Sequence, residues 1–182
     1  MLSTFRCHWH LGQAQYKLLF MDVDTELLVS FAEESEEILE GLEDPLSELE
    51  SGQGNASHFA DIAQRIDRIM GCATSLGLVG SPDLAPVFTM IGELSEGCKF
   101  LGYRAERLKN PDLMRLVSGV IAEATEVIGG SLRALKKGYV LYDAEAAQRT
   151  KGRIRLVASK IQLNAAEKEE LFRKFGVTDK DV

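Results

Sequence analysis

Apolar residues recur at steps of three and four along four stretches of this chain, and that spacing constrains the fold more than any other feature. Similar stripes lie in residues 25–50, 84–101 and 113–134, and short segments with Gly, Asn, Ser or Pro separate them. The clearest stripe contains Phe59, Ile62, Ile66, Ile69, Ala73 and Leu76. The sequence therefore predicts an all-α fold, an up-down-up-down antiparallel four-helix bundle with additional C-terminal helices.

Turn residues place the ends of these helices. Pro45 is expected to kink or interrupt the first helix, because proline lacks a backbone N–H and clashes with the preceding turn. Asn55 or Ser57 is expected to cap the second helix. Pro82 and Pro111 each lie close to the first turn of the helix that follows.

The second helix has an outward face that needs its own explanation. Positions three, four and seven apart lie together on a helix, so this face carries Gln64, Asp67, Arg68, Gly71 and Ser75. A glycine inside a helix costs roughly 1 kcal/mol relative to alanine, and Gly71 caps nothing because the apolar stripe continues beyond it. We infer that another molecule approaches the backbone closely at this position.

The segment from Asp67 to Leu78 resembles the core motif of histidine phosphotransfer domains, including the N-terminal domain of chemotaxis histidine kinases. Members of that family carry a helix that reads approximately His-x-x-Lys-Gly, with Gly-Leu or Gly-Phe six residues after the first glycine. Gly71 and Gly77-Leu78 match this spacing without a gap. The resemblance covers about residues 24–137, and the acidic, Phe- and Leu-striped first helix is also similar to the family.

In this alignment, the two residues that perform the family's chemistry are replaced. The alignment places Asp67 where the family has its phosphorylated histidine and Met70 where it has the lysine. Aspartate offers no imidazole nitrogen to carry a phosphoryl group between two aspartates. We therefore expect a non-catalytic module, not an enzyme, that binds a response-regulator receiver domain or a histidine kinase without relaying phosphate. Gln64, Asp67, Arg68, Gly71 and Ser75 are its expected contact residues.

Two other functions stay open from the sequence. Gln64 and Asp67 lie three positions apart, which is compatible with a phosphatase that orients water toward a receiver's aspartyl phosphate. The alternative is a structural bundle that forms a homodimer or a scaffold through its acidic first helix or its basic tail.

Charge and composition exclude several classes of protein. With 45% hydrophobic and 27% charged residues, the 182-residue chain is expected to fold as a soluble protein. A net charge of −7 disfavours nucleic acid as a partner, although residues 22–50 carry only acidic charges and residues 133–160 are rich in Lys and Arg. No apolar run approaches the roughly 18 residues that span a bilayer, and a cytoplasmic location is expected.

The cysteines and histidines give no cofactor site. Three widely spaced cysteines argue against a disulfide framework, and Cys72 and Cys98 are expected to be small core residues. Cys7, His8 and His10 are potential metal ligands, but a structural zinc site needs four, so no metal is expected. His58 lies more than two turns before Asp67 and is interpreted as a surface histidine.

The chain is expected to divide into an N-terminal extension (1–23), the bundle (24–137) and a C-terminal helical extension (138–182). Residues 144–161 are predicted to form a basic helix, and a short helix bearing Leu171, Phe172 and Phe175 is predicted to follow. This extension is expected to pack on the bundle, with a docking role for Phe172 and Phe175 as the alternative.

Overall fold

The computed structural model describes residues 14–18 and 25–161, together with residues 169 and 173. The described chain is mostly helical, as the apolar stripes predict. Its helices are α1 (Thr25–Glu40), α2 (Glu43–Ser51), α3 (Ser57–Val79), α4 (Ala85–Ala105), α5 (Pro111–Lys136) and α6 (Ala144–Lys160). Two short strands, β1 (Ala14–Leu18) and β2 (Tyr139–Asp143), accompany them.

The expected interruption by Pro45 is confirmed, and the break lies four residues before the proline, at the turn of Gly41 and Leu42. A proline lacks the N–H that would bond the carbonyl four residues earlier, and its ring clashes with that carbonyl. The carbonyl oxygen of Gly41 instead accepts a hydrogen bond from Nη1 of Arg65 on α3, at 3.2 Å. The same proline therefore separates α1 from α2 and frees an acceptor that links this turn to α3.

Side-chain caps fix other helix starts. Asn110 precedes Pro111, and its Oδ1 accepts the backbone N–H groups of Asp112 at 2.9 Å and Leu113 at 3.2 Å. Oδ1 of Asn55 accepts the N–H of Ser57 at 2.8 Å, where α3 begins. At α4 the helix starts later than Pro82 indicates, because residues 82–84 form a separate turn before Ala85.

The most extensive contact between two described helices is that of α3 with α4. A Cβ atom added to Gly102 on α4 would lie 2.7 Å from the carbonyl oxygen of Phe59 and 2.8 Å from Cβ of Ala63. Only a glycine allows the two backbones to approach this far. The two helices therefore meet along a fixed register, with α3 contributing Ala63 and α4 contributing Gly102.

The core is completed by contacts between α1, α4, α5 and α6. Phe31 of α1 and Phe88 of α4 meet edge to face, with ring centroids 5.7 Å apart. Ile154, Val157 and Ala158 of α6 belong to the same cluster of buried residues, so α6 packs on the preceding helices as expected. The predicted docking role of Phe172 and Phe175 lies outside the described residues.

A strand pair, which the sequence did not predict, joins two distant parts of the chain. β1 and β2 run antiparallel, with Ala14 opposite Asp143 and Leu18 opposite Tyr139. β2 also rests on α5, where Oγ of Ser131 donates a hydrogen bond to the carbonyl oxygen of Leu141 at 2.9 Å. Residues 14–18, assigned to an N-terminal extension, are thus tied to the segment that follows α5.

None of the helices within residues 25–161 has the combination of length and apolar composition that a membrane crossing requires.

Gly102→Ala is expected to destabilise the protein by about 1–3 kcal/mol, because the new methyl group would overlap the backbone of α3. Urea unfolding measures the change. Gly119→Ala on α5 is the matched control, since its methyl group would meet only Oε1 of Glu50 at 3.7 Å. The control is expected to be neutral or stabilising, by up to about 1 kcal/mol. Equal unfolding midpoints for the two variants would contradict the packing described for α3 and α4.

Candidate functional site

The face of α3 singled out in the sequence points away from the core. Its apolar stripe is fully buried from Phe59 to Ala73, and Leu76 is buried as well. On the outer side, Gln64, Arg68, Gly71 and Ser75 are exposed and Asp67 is half-buried. The predicted residues therefore lie on one surface of α3. Their contacts divide this surface into three strips that run along the helix: one next to α4, one next to α1 and one between the two.

On the strip next to α4, Asp67 forms an ion pair with Lys99. Nζ of Lys99 donates a hydrogen bond to Oδ1 of Asp67 at 2.6 Å, and both side chains are partly exposed. The ammonium compensates the carboxylate, so Asp67 does not present an isolated negative charge. Lys99 also places a cation beside this position, although Met70 stands where the family has its lysine.

On the strip next to α1, Arg68 contacts the acidic first helix. Its Nη2 donates to Oε1 of Glu34 at 2.5 Å, and both side chains are more than half exposed. Exposed ion pairs of this kind contribute at most about 1 kcal/mol to stability. Their effect here is to hold Arg68 toward α1 while Asp67 is held toward α4.

The central strip between these two ion pairs carries Gln64, Gly71 and Ser75. A Cβ atom added to Gly71 would have no neighbour within 4 Å, so no contact inside the described chain requires a glycine there. Oγ of Ser75 donates to the carbonyl oxygen of Gly71 at 2.9 Å and projects little beyond the helix. The backbone of α3 is therefore open to another molecule at Gly71, with a charged pair on each side.

An apolar groove borders this face between α3 and α4. Its volume is about 460 Å³. Leu78 at its edge is 83% exposed and the adjacent Val79 is 80% exposed, both unusually high for large apolar side chains. The groove residues are Met70, Ala73, Thr74, Gly77, Leu78, Phe88, Thr89, Gly92, Glu93 and Glu96. Met70 thus belongs to an apolar surface that continues the face around Gly71.

His58 is not near Asp67. It is half-buried at the start of α3, with Nδ1 3.5 Å from Oε2 of Glu48 on α2. It lies nine positions before Asp67 along the helix, a rise of about 13 Å. The potential ligands Cys7, His8 and His10 lie outside the described residues, and within residues 25–161 no three His, Cys, Asp or Glu side chains converge as a metal site.

The structure adds Lys99, Leu78 and Val79 to the residues expected from the sequence. A signal for Lys99 was present: Asp67 and Lys99 each lie sixteen positions from Asp83, and residues equally far from a helix turn face each other in an antiparallel pair. Leu78 was recognised as part of the motif, but its exposure follows from the end of α3 at Val79.

The expectation for Cys72 is wrong. Cys72 is exposed, because it lies one position before Ala73 and therefore outside the buried stripe, whereas Cys98 is fully buried on α4. Burial raises the pKa of the Cys98 thiol to about 12.

Comparison with protein-family models, with curated proteins and with solved structures finds no match for this chain.

The two thiols are expected to differ in reactivity. In a Cys7→Ser background at pH 8, a thiol reagent should label Cys72 quickly, while Cys98 should react only as the protein unfolds. Cys98 is inaccessible and, with its pKa raised to about 12, stays protonated. Time-resolved absorbance with an aromatic disulfide reagent measures both rates. Cys72→Ser should remove the fast phase, and fast labelling of that variant would contradict the burial of Cys98.

Proposed function

We propose that this chain is a histidine-phosphotransfer-like module that binds a receiver domain or a histidine kinase in two-component or chemotaxis-type signalling and does not relay phosphate. The open backbone at Gly71, between two ion pairs and beside an apolar groove, is the observation that carries this proposal. A partner seated there acts by occupancy, in the cytoplasm where receiver domains reside.

The contacts between helices support a bundle of the phosphotransfer type. α3 packs on α4, α4 on α5, α5 on α1 and α1 on α3, which is the cyclic order of an up-down-up-down arrangement. In this arrangement α2, which follows the break caused by Pro45, packs mainly on α5. We assign residues 24–137 to this bundle.

The side chains around Asp67 favour binding over phosphate transfer. A phosphoryl relay needs a nucleophile that accepts and releases the group, and Asp67 is instead held in an ion pair with Lys99. No observation favours the phosphatase alternative, because the Asp67 carboxylate is hydrogen-bonded on the α4 side and Gln64 lies on the central strip. The face keeps an accessible backbone and a rim of charge, which are properties of a docking surface.

The proposed docking face predicts that Asp67→Arg/Gly71→Leu lowers the affinity for a receiver or kinase domain at least about tenfold, because it reverses one charge and fills the open strip. Biolayer interferometry against the purified receiver and kinase domains of the same organism measures the affinity. Glu106→Arg/Gln53→Leu is the matched control, with an equal change of charge and one added leucine at exposed positions outside α3. Circular dichroism verifies that each variant is folded.

Two results would contradict the proposal. The first is the absence of binding between the unmodified protein and every receiver and kinase domain tested. The second is equal affinity of the double variant and the unmodified protein for a partner, which would place the interface elsewhere on the chain.

A second prediction concerns the phosphorylated histidine and the lysine of the family, which Asp67 and Met70 replace in this chain. Asp67→His/Met70→Lys is expected to gain phosphorylation by a histidine kinase or a phosphorylated receiver, since it restores the imidazole and the lysine on a face that remains exposed. Radiolabel transfer from ATP through the kinase measures the gain. Met70→Lys alone is the control and should stay unlabelled. Absence of label on a folded double variant that still binds the kinase would exclude a phosphotransfer geometry.

A further inference from the structure

The outward side of α6 is exposed, is not covered by residues 25–143, and carries positive charge. Leu156 is 57% exposed, and a Cβ atom added to Gly152, one turn earlier, would meet nothing within 4 Å. Arg155 and Lys160 flank this strip, are exposed, and make no ion pair within the described residues. An exposed leucine beside an open glycine, with arginine and lysine around it, is a helix face suited to an acidic surface with an apolar centre.

A groove with acidic and apolar lining residues lies between α1, α2 and α5. It has a volume of about 430 Å³, and Leu39, Leu46 and Ala122 are its apolar residues. Glu50 and Glu126 line it from α2 and α5, and neither carboxylate has an ion pair within the described residues.

The acidic character of this groove is only partly compensated within the chain. Nζ of Lys136 donates to Oε2 of Glu36 at 3.1 Å, and this hydrogen bond together with the charge of Glu36 raises the pKa of Lys136. Glu43 and Glu50 carry further negative charge, and Arg133 is the one basic residue among the described residues that line the groove. The groove therefore keeps an excess of negative charge, which a cationic partner would neutralise.

These two surfaces cannot meet within one molecule. Ile154 and Val157 anchor α6 in the core, and Glu123 of α5 pairs with Arg153 of α6. α6 packs on α4 and α5, whereas the groove lies between α1, α2 and α5, and no residue of α6 lines it. A groove of one chain can therefore be filled by α6 only if that helix belongs to a second chain.

We propose that this protein self-associates by placing the α6 face of one copy, centred on Leu156 and Arg155, in the acidic groove of a second copy. Leu156 contacts the apolar residues of the groove, and Arg155 and Lys160 face Glu50 and Glu126. This contact is independent of the docking face on α3, so either proposal stands if the other fails.

Sedimentation velocity of the full chain over a concentration series tests the contact. The unmodified protein is expected to associate at about 50 mM NaCl, and the association should weaken at least about tenfold at about 500 mM NaCl, because salt screens exposed charges. Glu50→Lys/Glu126→Lys alters the groove, and Arg155→Glu/Leu156→Ser alters the helix face. Each variant alone is expected to be monomeric.

Mixing the two variants gives the sharpest test. The groove variant keeps an intact helix face and the helix variant keeps an intact groove, so an equimolar mixture should form a heterodimer that neither variant forms alone. Glu37→Lys/Glu106→Lys and Lys137→Glu/Leu116→Ser are the matched controls, with equal changes of charge at exposed positions that do not line either surface. Both controls should associate as the unmodified protein does.

The proposal is overturned if the unmodified protein stays monomeric up to about 0.5 mM at low salt, a concentration at which even weak specific contacts are populated. It is also overturned if association persists in both variants, or if the controls lose it to the same degree. The salt series on the unmodified protein uses no substitution, so a variant that fails to fold leaves this result intact.

Discussion

The close contact of α3 with α4 at Gly102 determines the rest of the described surface. Two helix backbones that approach through a glycine have little freedom to slide, because neighbouring side chains interlock on both sides of the contact. That register brings Lys99 opposite Asp67 and Gly92 opposite Thr74. It also leaves the far side of α3 without a covering helix from residues 25–161. The buried glycine on α4 and the exposed glycine on α3 thus have complementary effects: one fixes the helix pair, and the other keeps its outer face accessible.

The ion pairs on the surface of this protein orient side chains and contribute little to the stability of the fold. Asp67 with Lys99 and Arg68 with Glu34 join α3 to its neighbours on both sides, but each pair is exposed enough for water and salt to weaken it. Stability instead comes from the continuous cluster of buried residues that extends from α1 to α6. A surface ordered by weak ion pairs can exchange them for pairs with a partner at little cost, which is a useful property for a regulatory contact.

Local patterns in the sequence were sufficient to predict the helices, but they were insufficient to predict contacts between distant segments. The stripe from Phe59 to Leu76, the cap at Asn110 and the break before Pro45 follow from rules that operate within one helical turn. Cys72 was wrongly predicted to be buried because one step along a helix turns a side chain by about 100°. This rotation is enough to move the side chain from the core to solvent. The pairing of Asp67 with Lys99 depends on the length of the turn between two helices. The pairing of β1 with β2 depends on backbone hydrogen bonds between segments that are separated by helices α1 to α5, and no periodicity encodes such a pairing.

The β1–β2 strand pair determines which backbone groups an N-terminally truncated protein would expose. β2 is a short strand whose backbone groups pair on one side with β1, and β1 lies within residues 1–23, which the sequence assigns to an N-terminal extension. A shortened protein that begins near Met21 would keep helices α1 to α6 yet carry an unpaired strand edge at Tyr139–Asp143. Exposed edges of this kind recruit other strands. Aggregation of such a truncated protein would then reflect a missing β-strand partner and not an unstable helical core.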